Sequence, residues 1–127
     1  MLELEELTGK IIGAAIRVHK ELGPGFVESI YEEAMALELQ ATGIPFERQK
    51  LVRVLYLGQP VGEHRLDLLV DKTVVVELKA VSELQDIFFA RTRSYLKALD
   101  LKHGLLLNFA TMPLTIKRVH REPSHAK

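Results

Sequence analysis

The chain has 127 residues and no cysteine, which excludes disulfides, thiolate catalysis and cysteine-bound zinc. Hydrophobic residues make up 47% and the formal net charge is zero, the profile of an ordinary soluble globular protein. No apolar run approaches the roughly 20 residues that a membrane span needs, so no membrane partner is expected.

The length suits one domain over 1–127, large enough to bury roughly two thirds of its unfolded surface. The acidic start MLELEELTGK has no signal-peptide pattern, and a cytoplasmic location is the expectation. Charge is unevenly spread. Residues 1–86 hold 9 Lys and Arg against 15 Asp and Glu, whereas residues 87–127 hold 8 against 2. Such asymmetry can mark one basic surface.

From Leu2 to Leu22 the apolar positions Leu4, Leu7, Ile11, Ala14, Ala15 and Val18 recur at three and four, which predicts an amphipathic helix. Gly23-Pro24-Gly25 ends it. A second helix is expected from about Val27 to Ala41, stopped by Gly43, with an apolar stripe of Ile30, Ala34 and Leu37 that can extend to Ala41, and Met35 and Leu39 on its flanks. Glu28, Tyr31, Glu32 and Met35 form a separate column on it. Glu28 falls in the first turn, where the helix dipole favours a carboxylate.

Pro45 to Leu57 reads as a strand and Gly58-Gln59-Pro60 as a turn. Two short strands follow, His64 to Val70 and Val74 to Ala80, joined at Asp71-Lys72-Thr73. Alternation puts Arg65, Asp67 and Leu69 on one face of the first, and Leu66, Leu68 and Val70 on the other. In the second, Val75, Glu77 and Lys79 share a face opposite Val74, Val76, Leu78 and Ala80. If Asp67 stands opposite Glu77, all the charge lies on one side. A slip of one residue buries charge without a partner, at roughly several kcal/mol. An odd-numbered connection or a bulge is therefore expected.

Ser82-Glu83-Leu84-Gln85 resembles a capping box, which predicts a helix from there to about Leu99. It carries Ile87, Phe88, Arg91, Tyr95 and Leu99 on nearby faces. His103 to Ala110 reads as a buried strand, Met112-Pro113 as a break, and Thr115 to His120 as a last strand. The tail from Glu122 is expected to fray. The order of elements suggests an α/β chain, a mixed sheet with helices against it.

Two readings fit the charged face of the central hairpin. It is a solvated surface with a weak salt bridge, or it is a site. Paired carboxylates suit a hard cation such as Mg²⁺, and a lysine beside them can position a water or neutralise charge on a phosphate.

Gly25-Phe26-Val27-Glu28-Ser29-Ile30-Tyr31 resembles the G-x-x-E-x-x-Y signature of a family within the PD-(D/E)xK nuclease-like superfamily. The likeness runs on through Asp67, Glu77-Leu78-Lys79, Ser94-Tyr95-Leu96-Lys97-Ala98 and Gly104-Leu105-Leu106-Leu107-Asn108-Phe109. It covers roughly Leu7 to Arg121. The resemblance implies the restriction-endonuclease-like fold, a central mixed sheet flanked by helices. It implies an endo- or exonuclease of DNA or RNA that uses Mg²⁺ or Mn²⁺. Asp67 and Glu77 are then metal ligands, joined by the backbone carbonyl of Leu78. Lys79 positions the attacking water or stabilises charge, and Glu28 is an accessory acid. Tyr31 and Tyr95 are structural, site-lining or phosphate-contacting. A homodimer follows by analogy with other nucleases of this fold.

One position departs from the family pattern. Its members usually carry a glutamine four residues before the tyrosine of the Y-L motif, and this chain has Arg91. Arginine cannot accept a hydrogen bond, so Arg91 contacts a phosphate or pairs with Glu28 or Glu77. The departure keeps open a nuclease fold that binds nucleic acid without cutting it, or a protein-interaction domain. The five histidines form no ligand-like cluster in the sequence, and no glycine-rich phosphate loop or nucleophile elbow is present.

Overall fold

The computed structural model describes residues 3–121. The frayed tail expected from Glu122 lies outside the described residues. The first helix, α1 (Leu4–Leu22), buries Leu7, Ile11, Ala14, Ala15 and Val18, the stripe its periodicity predicts. The second, α2 (Glu28–Thr42), ends at Gly43, whose φ of 73° is left-handed. Its buried face differs from the expected one. Tyr31, Met35, Ala36 and Leu39 point inward, while Ile30 and Leu37 are exposed. Tyr31 decides this. It stacks on Phe109 with centroids 4.5 Å apart, and its hydroxyl donates to the Gly23 carbonyl at 2.6 Å.

Five strands form one mixed sheet in the order β1-β2-β3-β4-β5. They are β1 (Phe46–Tyr56), β2 (Gln59–Val70), β3 (Val74–Lys79), β4 (His103–Asn108) and β5 (Thr115–His120). Only β3 and β4 run parallel. Gln59 and Pro60, expected in a turn, already pair with Tyr56 and Leu55, so the hairpin is longer than its hydrophobic pattern suggests. The third helix, α3 (Asp86–Leu99), connects the parallel pair. It begins four residues after Ser82, with Gln85 as its N-cap and no side-chain capping bond. The capping box is not used because the chain is still held extended: Glu28 accepts the Ala80 N–H, and Asn108 bonds both backbone groups of Val81.

The sheet separates two apolar layers. On one face α1 and α2 cover Leu68, Val70, Val74, Val76, Leu78, Leu105 and Leu107. On the other, α3 lays Tyr95 and Leu96 over Leu69, Val75, Leu106 and Val119. The consecutive leucines of β4 alternate between the layers, as a strand buried on both faces requires. A Cβ on Gly104 would stand 2.9 Å from Thr92 Cγ2, so glycine here sets how closely α3 approaches the sheet.

Candidate active site

The β2–β3 connection is Asp71-Lys72-Thr73, an odd-numbered link as expected. Asp71 and Lys72 both have positive φ, and the Val70 carbonyl accepts the Thr73 N–H at 3.0 Å. That is a primed turn with one extra residue. The register Leu68↔Val76, Leu69↔Val75, Val70↔Val74 runs on to set Asp67 opposite Glu77. Backbone pairing stops at Leu68 and Val76. Beyond that point the strands part.

The cause lies in the neighbouring strand. Gln49 has a φ of 51° and stands opposite Asp67 at a rung missing from the β1–β2 ladder, although pairing continues in register on both sides. Left-handed backbone costs a non-glycine residue about 1–2 kcal/mol, and side-chain contacts hold it. Gln49 Nε2 donates to Glu32 Oε1 at 2.6 Å, and the Arg48 guanidinium donates to Glu32 Oε2 at 3.0 and 3.1 Å. Both strands change face at this rung. Arg48 reaches α2, whereas Val52 lies under α3. Leu68 joins the α1–α2 layer, whereas Leu66 joins the α3 layer. Strict alternation had put Leu66 with Leu68 and Val70. The break at Asp67 corrects that, and no local sequence signal marks it.

At the break the two carboxylates hold each other's strands. The Asp67 N–H donates to Glu77 Oε2 at 2.9 Å, and Asp67 Oδ2 accepts the Leu78 N–H at 2.8 Å. Glu77 is buried. Burial first, and then the charge of Asp67, push its carboxyl up to about 8, while Lys79 pulls it back. Lys79 lies in the same small pocket as Glu77, Arg91, Thr92 and Tyr95, with its Nζ 4.7 Å from the centre of the Phe88 ring. The Tyr95 hydroxyl lies 3.3 Å from His64 Nδ1. Burial raises its pKa, Glu77 adds to the rise, and Arg91 opposes it.

The remaining residues sort clearly. Glu28, at the start of α2, reaches the end of β3, where its Oε2 accepts the Ala80 N–H at 3.3 Å. Tyr31 is fully buried, with its hydroxyl engaged by Gly23 and Phe26, so it fixes the loop before α2. Arg91 makes no ion pair with Glu28 or Glu77 among the described residues. The histidines His103 and His120, unremarkable in the sequence, come together across β4 and β5 with Nδ1 atoms 3.2 Å apart. Sequence reading gave no role to Glu32, Gln49 or Asn108, whose shaping contacts, Glu32 with Arg48 and Gln49 and Asn108 with Val81, are long-range.

The donor set suits a hard divalent cation. Asp67 Oδ1 and Glu77 Oε1 carry no hydrogen bond among the described residues, and each carboxylate's other oxygen is fixed by a backbone N–H. The Lys79 carbonyl bonds toward β4, so the alternating carbonyl of Leu78 faces the gap beside Asp67. Two carboxylates and a carbonyl leave positions for waters, the coordination Mg²⁺ prefers. Among the described residues no three acidic or imidazole side chains gather as a metal cluster, so Glu28 stands outside this donor set.

Residues 5–119 match the PD-(D/E)XK nuclease superfamily. The chain belongs to that superfamily. No curated protein matches the sequence. Two solved structures share the fold. One is the crystal structure of SSO0001, with TM-score 0.58 and 15% identity over 76% of this chain. The chain spans only 50% of that protein's length. The other is an alkaline exonuclease, LHK-Exo, from Laribacter hongkongensis, with TM-score 0.55 and 11% identity. That match covers 96% of this chain and 73% of the exonuclease. The five-stranded mixed sheet with helices on both faces is thus the restriction-endonuclease-like fold of the PD-(D/E)XK nucleases. Among the described residues no helix is long and apolar enough to cross a membrane.

Proposed function

We propose that this PD-(D/E)XK nuclease hydrolyses phosphodiester bonds in DNA or RNA with Mg²⁺ or Mn²⁺, and that it is a G-x-x-E-x-x-Y protein by its residues 25–31. One observation carries the reading: Asp67 and Glu77 are locked together where β2 and β3 part, and Lys79 lines the same pocket as Glu77. Asp67, Glu77 and the Leu78 carbonyl hold the cation. When bound, it activates a water and offsets charge on the phosphate. Lys79 orients that water or stabilises the developing charge. Its Nζ is steadied against the Phe88 ring, which suits a positioning role. Glu28 acts from the end of β3 as an accessory acid. Arg91, exposed and unpaired among the described residues, receives a non-bridging phosphate oxygen.

A nucleic-acid-binding domain that does not cut is the second reading. It rests on Arg91, a fixed cation lining the same pocket as Glu77. Cleavage of labelled single- and double-stranded oligonucleotides, with Mn²⁺ and with chelator, decides between them. Metal-dependent cleavage that disappears in Asp67→Asn supports the nuclease; binding without cleavage supports the second reading.

A further inference from the structure

The change of face at Gln49 and Asp67 does more than aim a carboxylate. It turns the outer half of the β1–β2 hairpin toward α3, so that Val52, Val54 and His64 face Ile87, Arg91 and Tyr95 across an open groove of about 660 Å³. Arg91 and Tyr95 also line the small pocket that holds Glu77 and Lys79, so the groove adjoins the pocket of Glu77. We propose that this groove is a track for a single strand of nucleic acid, which enters between hairpin and helix and ends at the Asp67–Glu77 pair. The proposal deepens the nuclease reading and rests on it only for where the strand leads.

Three features select that occupant. The first is charge. Arg53 comes from the hairpin and Arg91 and Lys97 from α3; all three are exposed and none forms an ion pair among the described residues. Exposed cations without an ion pair also occur elsewhere on the described surface, but here three of them line one groove and no carboxylate lines it. Cations left unmatched on both walls of one groove suit a chain of phosphates. Arg91 and Lys97 stand about 9 Å apart along the helix axis, so they can hold separate phosphates of one strand.

The second is the apolar lining. Val54, Leu55 and Ile87 are exposed in the groove beside Arg53, Arg91 and Lys97. A duplex hides its base faces and presents phosphate and sugar. A single strand offers base faces to such walls. The third is size. The volume lies in the range that takes a drug-sized molecule, which is about two nucleotides and too small for paired strands. An acidic peptide satisfies the charge and leaves the apolar walls without partners.

Binding by fluorescence anisotropy tests this, with a labelled single strand of about twelve nucleotides, the matching duplex, and polyglutamate as competitor, all in chelator so that nothing is cut. The wild type is expected to bind the single strand more tightly than the duplex. Arg53→Ala with Lys97→Ala should weaken single-strand binding about tenfold or more and reduce the salt slope by roughly 1.4, at ~0.7 for each lost phosphate contact. Leu55→Ser should weaken binding severalfold and leave the slope unchanged. Tighter duplex binding, displacement by polyglutamate as effective as by unlabelled strand, or an unaltered slope in the double variant each overturn the track. A wild type that binds in this manner and never cleaves sinks the hydrolase reading alone. One that cleaves while the double variant keeps its affinity and slope sinks the track alone.

Discussion

Asp67 and Glu77 exchange one hydrogen bond each way between strands that have stopped pairing: the Asp67 N–H donates to the Glu77 carboxylate, and the Asp67 carboxylate accepts the N–H of the residue after Glu77. The arrangement fixes both carboxylates, and burial together with the charge of Asp67 keeps Glu77 protonated up to about pH 8. Once Glu77 ionises, the two charges oppose each other at a buried place, and on the proposed reading a divalent cation would relieve that repulsion. Asp67→Asn keeps an oxygen to accept the Leu78 N–H and removes the charge. Thermal unfolding at pH 8 without metal should show the variant more stable than wild type by a few degrees. Equal or lower stability would mean the carboxylates do not oppose each other.

The pH dependence follows from Glu77. Its folded pKa of about 8 lies above the ordinary 4.5. Between those values the folded state binds more protons than the unfolded one, so stability falls as pH rises from about 5 to 8 and levels off above. The loss is on the order of a few kcal/mol. Urea unfolding of metal-free protein at pH 5, 6.5 and 8 measures it, and Glu77→Gln should flatten the profile. A wild-type profile that is already flat counts against a strained Glu77.

Gln49 holds the kink. Replacing it with valine places a β-branched residue at a positive φ and removes the bond to Glu32. A stability loss of about 1–3 kcal/mol is expected, together with weaker metal binding, because Asp67 loses the kink opposite it that turns its strand. Unchanged metal affinity in a destabilised variant would make Gln49 purely structural.

Helix α3 is held close at Gly104. Gly104→Ala should cost about 1–3 kcal/mol through the contact with Thr92 Cγ2. Thr92→Ser removes that methyl, so the double variant should recover most of the loss, a non-additive cycle read by urea unfolding. Additive losses would locate the strain elsewhere.

Much of this was legible because burial leaves little choice. The register that sets Asp67 against Glu77 follows from the cost of burying a lone charge, and backbone pairing on the inner rungs agrees with it. The α1 stripe and the continuous leucines of β4 are equally local. What escaped depends on partners distant in the chain. Alternation cannot foresee the change of face at Asp67, since its cause is Gln49, eighteen residues earlier, held by Glu32 on a helix. The inward face of α2 turns on Tyr31 meeting Phe109. The groove exists only once the hairpin has twisted over α3.

The central claim is that Asp67 and Glu77 together hold a divalent cation, and calorimetric titration of Mn²⁺ tests it most directly. Titrations into wild type and Asp67→Asn, each with and without an uncleavable single-stranded oligonucleotide, should show binding in wild type that weakens at least tenfold in the variant. Wild-type affinity should rise from pH 6 to 8, with proton release, because the cation requires the ionised Glu77. Equal affinity in the two proteins, or no binding by wild type even with the oligonucleotide present, would contradict the account.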